Sequence, residues 1–431
     1  MAKLLGYSLV IGLLLVAALA QASPYYPDQP DTTSLLLAPP AGANADYLAG
    51  VSALQRRDLE AAEEAFTRAA RADPNMPEPL LGLAEVALRQ HKVSEAEVLL
   101  QRALALAPQR SDPQVAWAKY VLGQGRVAEA KAALERAVAL DQKAVRPRLD
   151  LGDLYLLVFR NPAQAVEIYR SALALEPKNV AVLLALAKGQ QQLNKLEDAR
   201  ATVEQAIALA PGNPLPAIAY GDVLAQAGKN ADALAAYDRA IAAAPDLVSA
   251  HLAKANLLLR MGKVQEAVAE HQQVLRIDPK NVPALVANGV LEAQANRPDE
   301  AKKSFAAAFA ADPHVPDVIN DMAWQGADKH RDLDRALIMA REAVALVPDI
   351  AAYRDTLGWV YRARGELPQA AVELEKAAAQ GDKPEILTHL GIVYAEMGNR
   401  NGAADNLRRA LAIDPKYEPA LAAQKQLEKQ P

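Results

Sequence analysis

Thr356-Leu357-Gly358-Trp359-Val360-Tyr361, followed by Gly365, Ala370, Leu374 and Ala377, is the stretch on which the reading of the whole chain turns. The same residue types return one repeat later as Leu390-Gly391, Tyr394, Gly398, Ala403, Leu407 and Ala410, closed by Pro415. Leucine and tyrosine at helical spacing around a glycine describe an apolar stripe with a notch, against which a second helix lies close. Gly365 and Gly398 suit a left-handed residue that ends one helix and turns into the next. Pro415 ends the second helix, because its ring and missing N–H do not fit a helix interior. No stretch shows the period-two alternation of a half-buried strand.

Working outward from this stretch, the closing proline recurs at Pro74, Pro108, Pro177, Pro211, Pro245, Pro279, Pro313 and Pro348, with Gln142 and Asp382 where two more would fall. A small residue recurs at the eighth position, for example Gly50, Ala84, Gly152, Gly221, Gly289, Gly358 and Gly391. Alignment on both gives eleven units: 43–76, 77–110, 111–144, 145–179, 180–213, 214–247, 248–281, 282–315, 316–350, 351–383 and 384–417. The fourth and ninth need one extra residue, expected in the turn near Phe159-Arg160-Asn161 and near Asp328-Lys329-His330. Glu418 to Gln430 reads as a capping helix with a polar outer face, within a terminal segment 418–431.

This pattern resembles the tetratricopeptide repeat (TPR), a helix–turn–helix unit of about 34 residues, over nearly everything from Ala43 to Tyr417. The resemblance implies an all-α fold: a right-handed α-solenoid of about eleven TPR helix pairs with a C-terminal capping helix. It also implies a groove lined by the first helix, A, of each pair, in which protein partners bind.

The chain has 431 residues, a net charge of −5, 5% aromatic residues and no cysteine. Without a basic block to neutralise phosphates, nucleic acid is excluded as an expected partner. The lack of cysteine removes disulfides, thiol catalysis and a lipid-anchored lipoprotein start. Lys3, the apolar run Leu4 to Ala20 and the small-x-small end Ala20-Gln21-Ala22 read as a signal peptide over 1–22. The expected address is therefore the periplasm. The alternative is an uncleaved anchor in the inner membrane facing the periplasm, and membrane association otherwise comes only through partners. Residues 23–42 read as a flexible linker, since Pro24, Pro27, Pro30, Pro39 and Pro40 forbid a continuous helix. Leu35-Leu36-Leu37 is an apolar patch within it.

In the family, the ninth position of helix A faces the groove. Carried onto this chain it reads Glu85, Lys119, Asp153, Lys188, Asp222 and Asn256, charges that alternate in sign over an apolar fifth position. One reading is a ladder of neighbouring charges that solvates the surface, each exposed pair contributing about 0–1 kcal/mol. The other is a groove for an extended peptide or an amphipathic helix. Further on, Trp324 and Trp359 share the ninth position in successive units, with Asn320 and Asp355 one turn before them and Arg362 just after Trp359. Tryptophan beside polar groups anchors peptides and stacks on sugar rings; the plain alternative is indole packing onto the next helix A. Trp117, at the seventh position, reads as packing.

Five polar residues interrupt the core pattern of the seventh and eighth units: His251, Lys254, His271, Asn288 and Glu292. Buried polar groups need partners or water, and a Lys254–Glu292 pair is one arrangement. The seam reads as a satisfied polar contact, a hinge, or a pH-responsive element, since histidine titrates near neutrality. Two histidines without a clear third ligand do not make a zinc site, so no metal and no cofactor is expected. No Gly-x-Ser-x-Gly elbow, phosphate loop or His-Glu-x-x-His occurs, and His91, His314, His330 and His389 fall in different units. No catalytic residue is assigned.

Asn320-Asp321-Met322-Ala323-Trp324 and Asp355-Thr356-Leu357-Gly358-Trp359-Val360-Tyr361 resemble the end of exported bacterial TPR proteins of exopolysaccharide and envelope assembly systems. That resemblance implies a non-enzymatic scaffold or adaptor within an export or assembly machine. A chaperone for outer-membrane proteins and a carbohydrate-binding module are the alternatives, with polysaccharide as a second class of ligand.

Overall fold

The computed structural model describes residues 44–295 and 297–429. The expected signal peptide 1–22 and linker 23–42 lie outside the described residues. Among the described residues every regular element is helical: successive A and B helices, from Ala45–Gln55 and Leu59–Ala72 to Pro384–Glu396 and Arg400–Ile413, and then Glu418–Lys429. None is long and apolar enough to cross a membrane. They form two compact units, divided between Ala253 and Lys254 within the helix Val248–Arg260.

The turns explain why the chain pairs its helices. In the first unit of structure, helix Glu78–Arg89 ends with the Lys92 N–H reaching back to the Ala87 carbonyl at 2.8 Å while His91 sits at φ 62°. In the second, the Glu366 N–H bonds the Tyr361 carbonyl at 2.9 Å around Gly365 at φ 79°. This six-to-one closure with a left-handed residue reverses the chain within a few residues. Asparagine then starts several helices: Asn179, Asn281 and Asn399 accept the N–H of Val182, Ala284 and Gly402 at 3.2, 3.2 and 3.0 Å.

The two one-residue insertions are absorbed differently. In the fourth repeat the extra residue enters helix A and not the turn, as the π-helical segment Leu154–Val158, where the Phe159 N–H bonds the Leu154 carbonyl at 3.1 Å. In the ninth it sits in the turn, where His330 and Asp332 both take positive φ.

Each pair is packed through the notch at the eighth position. A β-carbon on Gly152 or Gly221 would lie 2.3 or 2.4 Å from the ring of Tyr169 or Tyr237. On Gly50 and Gly289 it would lie 2.7 and 2.8 Å from Phe66 and Phe305. Where the facing residue is the slimmer Leu100 or Leu134, the eighth residue is Ala84 or Ala118, all four buried. Gly358 and Gly391 face leucines as well, Leu374 and Leu407, and a β-carbon there would lie 2.6 and 2.9 Å from Cγ, so how closely the two helices approach, and not only the size of the facing side chain, sets this position.

A candidate partner-binding face

In the second unit, three successive A helices, Val315–Asp328, Ala351–Ala363 and Pro384–Glu396, bring an aromatic stack together. Trp324 and Trp359 are parallel to within 15° at 5.9 Å, and the imidazole of His389 lies 4.3 Å from Trp359 and 5.4 Å from Trp324. All three side chains are half-buried. The buried carboxylate of Asp355 holds the His389 ring through Nδ1 at 2.8 and 3.0 Å. The Arg362 guanidinium sits 4.3 Å over the Trp359 ring and donates from Nε and Nη2 to Glu396.

The sequence reading placed Trp324, Trp359, Asp355 and Arg362 on this face and missed His389. Its signal was a fixed offset: His389 stands 34 residues after Asp355, as Glu396 does after Arg362. Stacked repeats put residues one period apart side by side. The indoles pack on one another across units, so neither simple alternative, open platform or pure core, describes them.

Around the stack the surface is acidic. Asp317 accepts the Tyr353 hydroxyl at 2.5 Å, and burial followed by this bond raises the phenol pKa. The Asp321 carboxyl is raised too, first by loss of water around it and then by the like charge of Asp317, with an Asn320 hydrogen bond opposing. Asn320 Oδ1 is buried with no hydrogen-bond partner.

In the first unit, Glu85, Asp153 and Asp222 of the ninth position make contacts within their own repeats. Glu85, 5% exposed, accepts Arg89 Nε at 2.7 Å one helical turn on. Asp153 and Asp222 accept the hydroxyls of Tyr169 and Tyr237 at 2.6 and 2.7 Å. Burial pushes the Asp153 carboxyl up to about 7; the Tyr169 bond opposes this, Asp150 adds to it and Arg146 opposes it. Lys119 and Lys188 are half-buried. In the second unit, Asn256 is exposed.

The seam residues divide as follows. His251 Nε2 bonds the Pro245 carbonyl at 2.9 Å in the first unit. In the second, Lys254 pairs with Glu270 at 2.7 Å and not with Glu292, which instead accepts the Ser304 hydroxyl at 2.8 Å. Glu270 lies within reach on the paired helix B, so the Lys254–Glu292 arrangement does not form. His271 is 2% exposed with neither ring nitrogen partnered, and Asn288 Oδ1 is likewise orphaned. Burial lowers the His271 pKa, and Glu270 pulls it the other way. Among the described residues no group of three or more histidine or carboxylate side chains has metal-site geometry.

Three family models, each described as Tetratricopeptide repeat, match the chain. One matches residues 53–119, 159–221 and 258–324, a second 115–180 and 218–282, and a third 384–417. No curated protein matches. Solved structures similar to the chain include human IFIT1 dimer with m7Gppp-AAAA, at 15% identity over 92% of this chain and 94% of that one, TM-score 0.48. Yeast Tom70 is similar at 15% identity over 89% and 94%, TM-score 0.39. PilF of Pseudomonas aeruginosa is similar at 20% identity over 51% and 97%, TM-score 0.39.

Proposed function

The chain belongs to the tetratricopeptide repeat family, a scaffold suited to protein–protein interaction, and from that premise we propose that it is a non-enzymatic, exported scaffold or adaptor. In this reading it works in the periplasm, within an exopolysaccharide export or cell-envelope assembly machine, and grips protein partners on its A-helix face. The observation that carries the reading is the half-buried Trp324–Trp359–His389 stack, which three separate repeats supply to one face. Aromatic and arginine side chains in partly desolvated positions concentrate binding energy at interfaces. The export signal read at Lys3, Leu4 to Ala20 and Ala20-Gln21-Ala22 supports the periplasmic address. Mutual stacking, with His389 and Arg362 also on Trp359, leaves less open indole for a pyranose, and this favours a peptide over a sugar.

The test is site-specific photocrosslinking in the native host, with the crosslinker at Gln325 on this face and at Val98 or Val372 on B helices. We expect a defined protein to crosslink from Gln325 alone. Once purified, that partner should bind the parent chain and lose at least about tenfold in affinity, roughly 1.4 kcal/mol, to Trp324→Ala plus Trp359→Ala. Equal crosslinking from all positions, or unchanged affinity in the double variant, sinks the reading. Quenching of tryptophan emission by oligosaccharides but by no protein would turn it toward carbohydrate.

A further inference from the structure

One A helix in this face is left unfinished. Along Val315–Asp328, residues Asp317, Asn320, Asp321 and Trp324 fall at i, i+3, i+4 and i+7 and therefore share a stripe. Beside it Val318 and Met322 are exposed at 38% and 36%. The stripe combines like charges, a bare acceptor and an indole, although Asp317 already accepts the Tyr353 hydroxyl. Asp317 and Asp321 are neighbouring like charges, and the charge of Asp317 adds to burial in raising the cost of ionising Asp321. Asn320 Oδ1 is a buried acceptor that lacks a donor. The cation–ring contacts found among the described residues are to Trp117, Tyr155, Tyr361 and Trp359, and none is to Trp324.

The next repeat shows how this chain covers such an indole. There a guanidinium lies 4.3 Å over Trp359 and forks onto the Glu396 carboxylate. The repeat with Trp324 has the indole, the carboxylate and an extra acceptor, but Ala327 stands where Trp359 has Arg362, three residues on.

We propose that this stripe binds a basic, arginine-bearing segment of the partner protein, with one guanidinium stacked on Trp324 and donating to the exposed carboxylate of Asp321. The inference rests on the scaffold reading and names the chemistry of what is gripped. A planar fork with five donors stacks and bonds two acceptors at once, which the point charge of lysine does less well. Val318 and Met322 would cover the apolar side of the same segment. The acidic surface repels nucleic acid and attracts a basic peptide before contact.

Calorimetry on the full chain with synthetic twelve-residue peptides tests it. One peptide alternates arginine with leucine and alanine; two counterparts carry citrulline or lysine at each arginine. The arginine peptide should bind at least about tenfold tighter than the citrulline peptide, and more tightly than the lysine one. Added salt should weaken it. Asp321→Asn, an isosteric change at an exposed site, should cost about tenfold, and Trp324→Ala a comparable factor, while Asp405→Asn on a B helix leaves affinity unchanged. Equal binding of the arginine and citrulline peptides overturns the proposal, as does full affinity in Asp321→Asn. A crosslinked partner that binds Asp321→Asn as well as the parent overturns this inference and leaves the scaffold reading standing. Failure to find any partner overturns the scaffold reading instead.

Discussion

Replacing Gly221 by alanine should destabilise the first unit, although alanine is the better helix former by about 1 kcal/mol. The new β-carbon would sit 2.4 Å from Cε1 and 2.7 Å from Cδ1 of Tyr237, inside any distance real β-carbons tolerate. The ring has no easy retreat: Tyr237 is 2% exposed, and its hydroxyl is bound to Asp222 at 2.7 Å. Overpacking of this kind costs about 1–3 kcal/mol, and a disturbed hydrogen bond to a carboxylate adds about 1.5–3. Set against the propensity gain, the net loss is roughly 1.5–5 kcal/mol. The chain itself suggests the repair, since Ala84 faces Leu100 and Ala118 faces Leu134 in other repeats. Gly221→Ala combined with Tyr237→Leu should recover at least about 1.5 kcal/mol relative to the sum of the single changes. Denaturation of all four proteins, followed by circular dichroism and by Trp117 emission, measures the cycle. Gly228→Ala serves as a control, because its cost comes from φ 75° and its β-carbon meets nothing. Strict additivity, or a Gly221→Ala protein as stable as the parent, would refute the volume-matching argument.

Two predictions concern buried ionisable groups. His271→Leu should stabilise the second unit by about 1–3 kcal/mol, because it removes two buried nitrogens without partners. Since burial lowers the His271 pKa below the ordinary 6.5, the parent should lose stability as pH falls below that value and the variant should not; identical acid profiles would refute this. For Asp153 the sign is opposite. Its carboxyl is raised from 3.8 to about 7, so its contribution is full below 3.8 and is lost as pH rises through 7. Asp153→Asn should flatten that decline and stabilise the chain at pH 8 by on the order of 2–4 kcal/mol, with the Tyr169 hydroxyl still bonded; thermal melts from pH 4 to 8 read the difference.

The fold class was readable because each repeat restates it. The notch at Gly358 and Gly391, the turn at Gly365 and Gly398 and the stop at Pro415 are local requirements, met by local residues. The candidate face was readable only in outline. Trp324 and Trp359 declared themselves by sharing a position, and Asp355 and Arg362 by lying one turn away. His389 and Glu396 did not, because their importance lies in contacts with the preceding repeat. The Lys254 partner was missed for another reason: spacing admitted Glu292 of the next repeat, and side-chain geometry within the helix pair chose Glu270.

The sequence by itself determined the helical repeats, their turns and the size of residue each contact admits, since these follow from backbone chemistry within about 34 residues. The tertiary structure decided which side chains from different repeats meet, so that two indoles and an imidazole stack; it also left Asn320 with a bare acceptor and placed the fourth repeat's extra residue in a π-helical segment. The physical reason is that periodicity fixes where a residue lies on its own helix. Its contacts with the next repeat depend on ångström-scale stacking that no single repeat encodes.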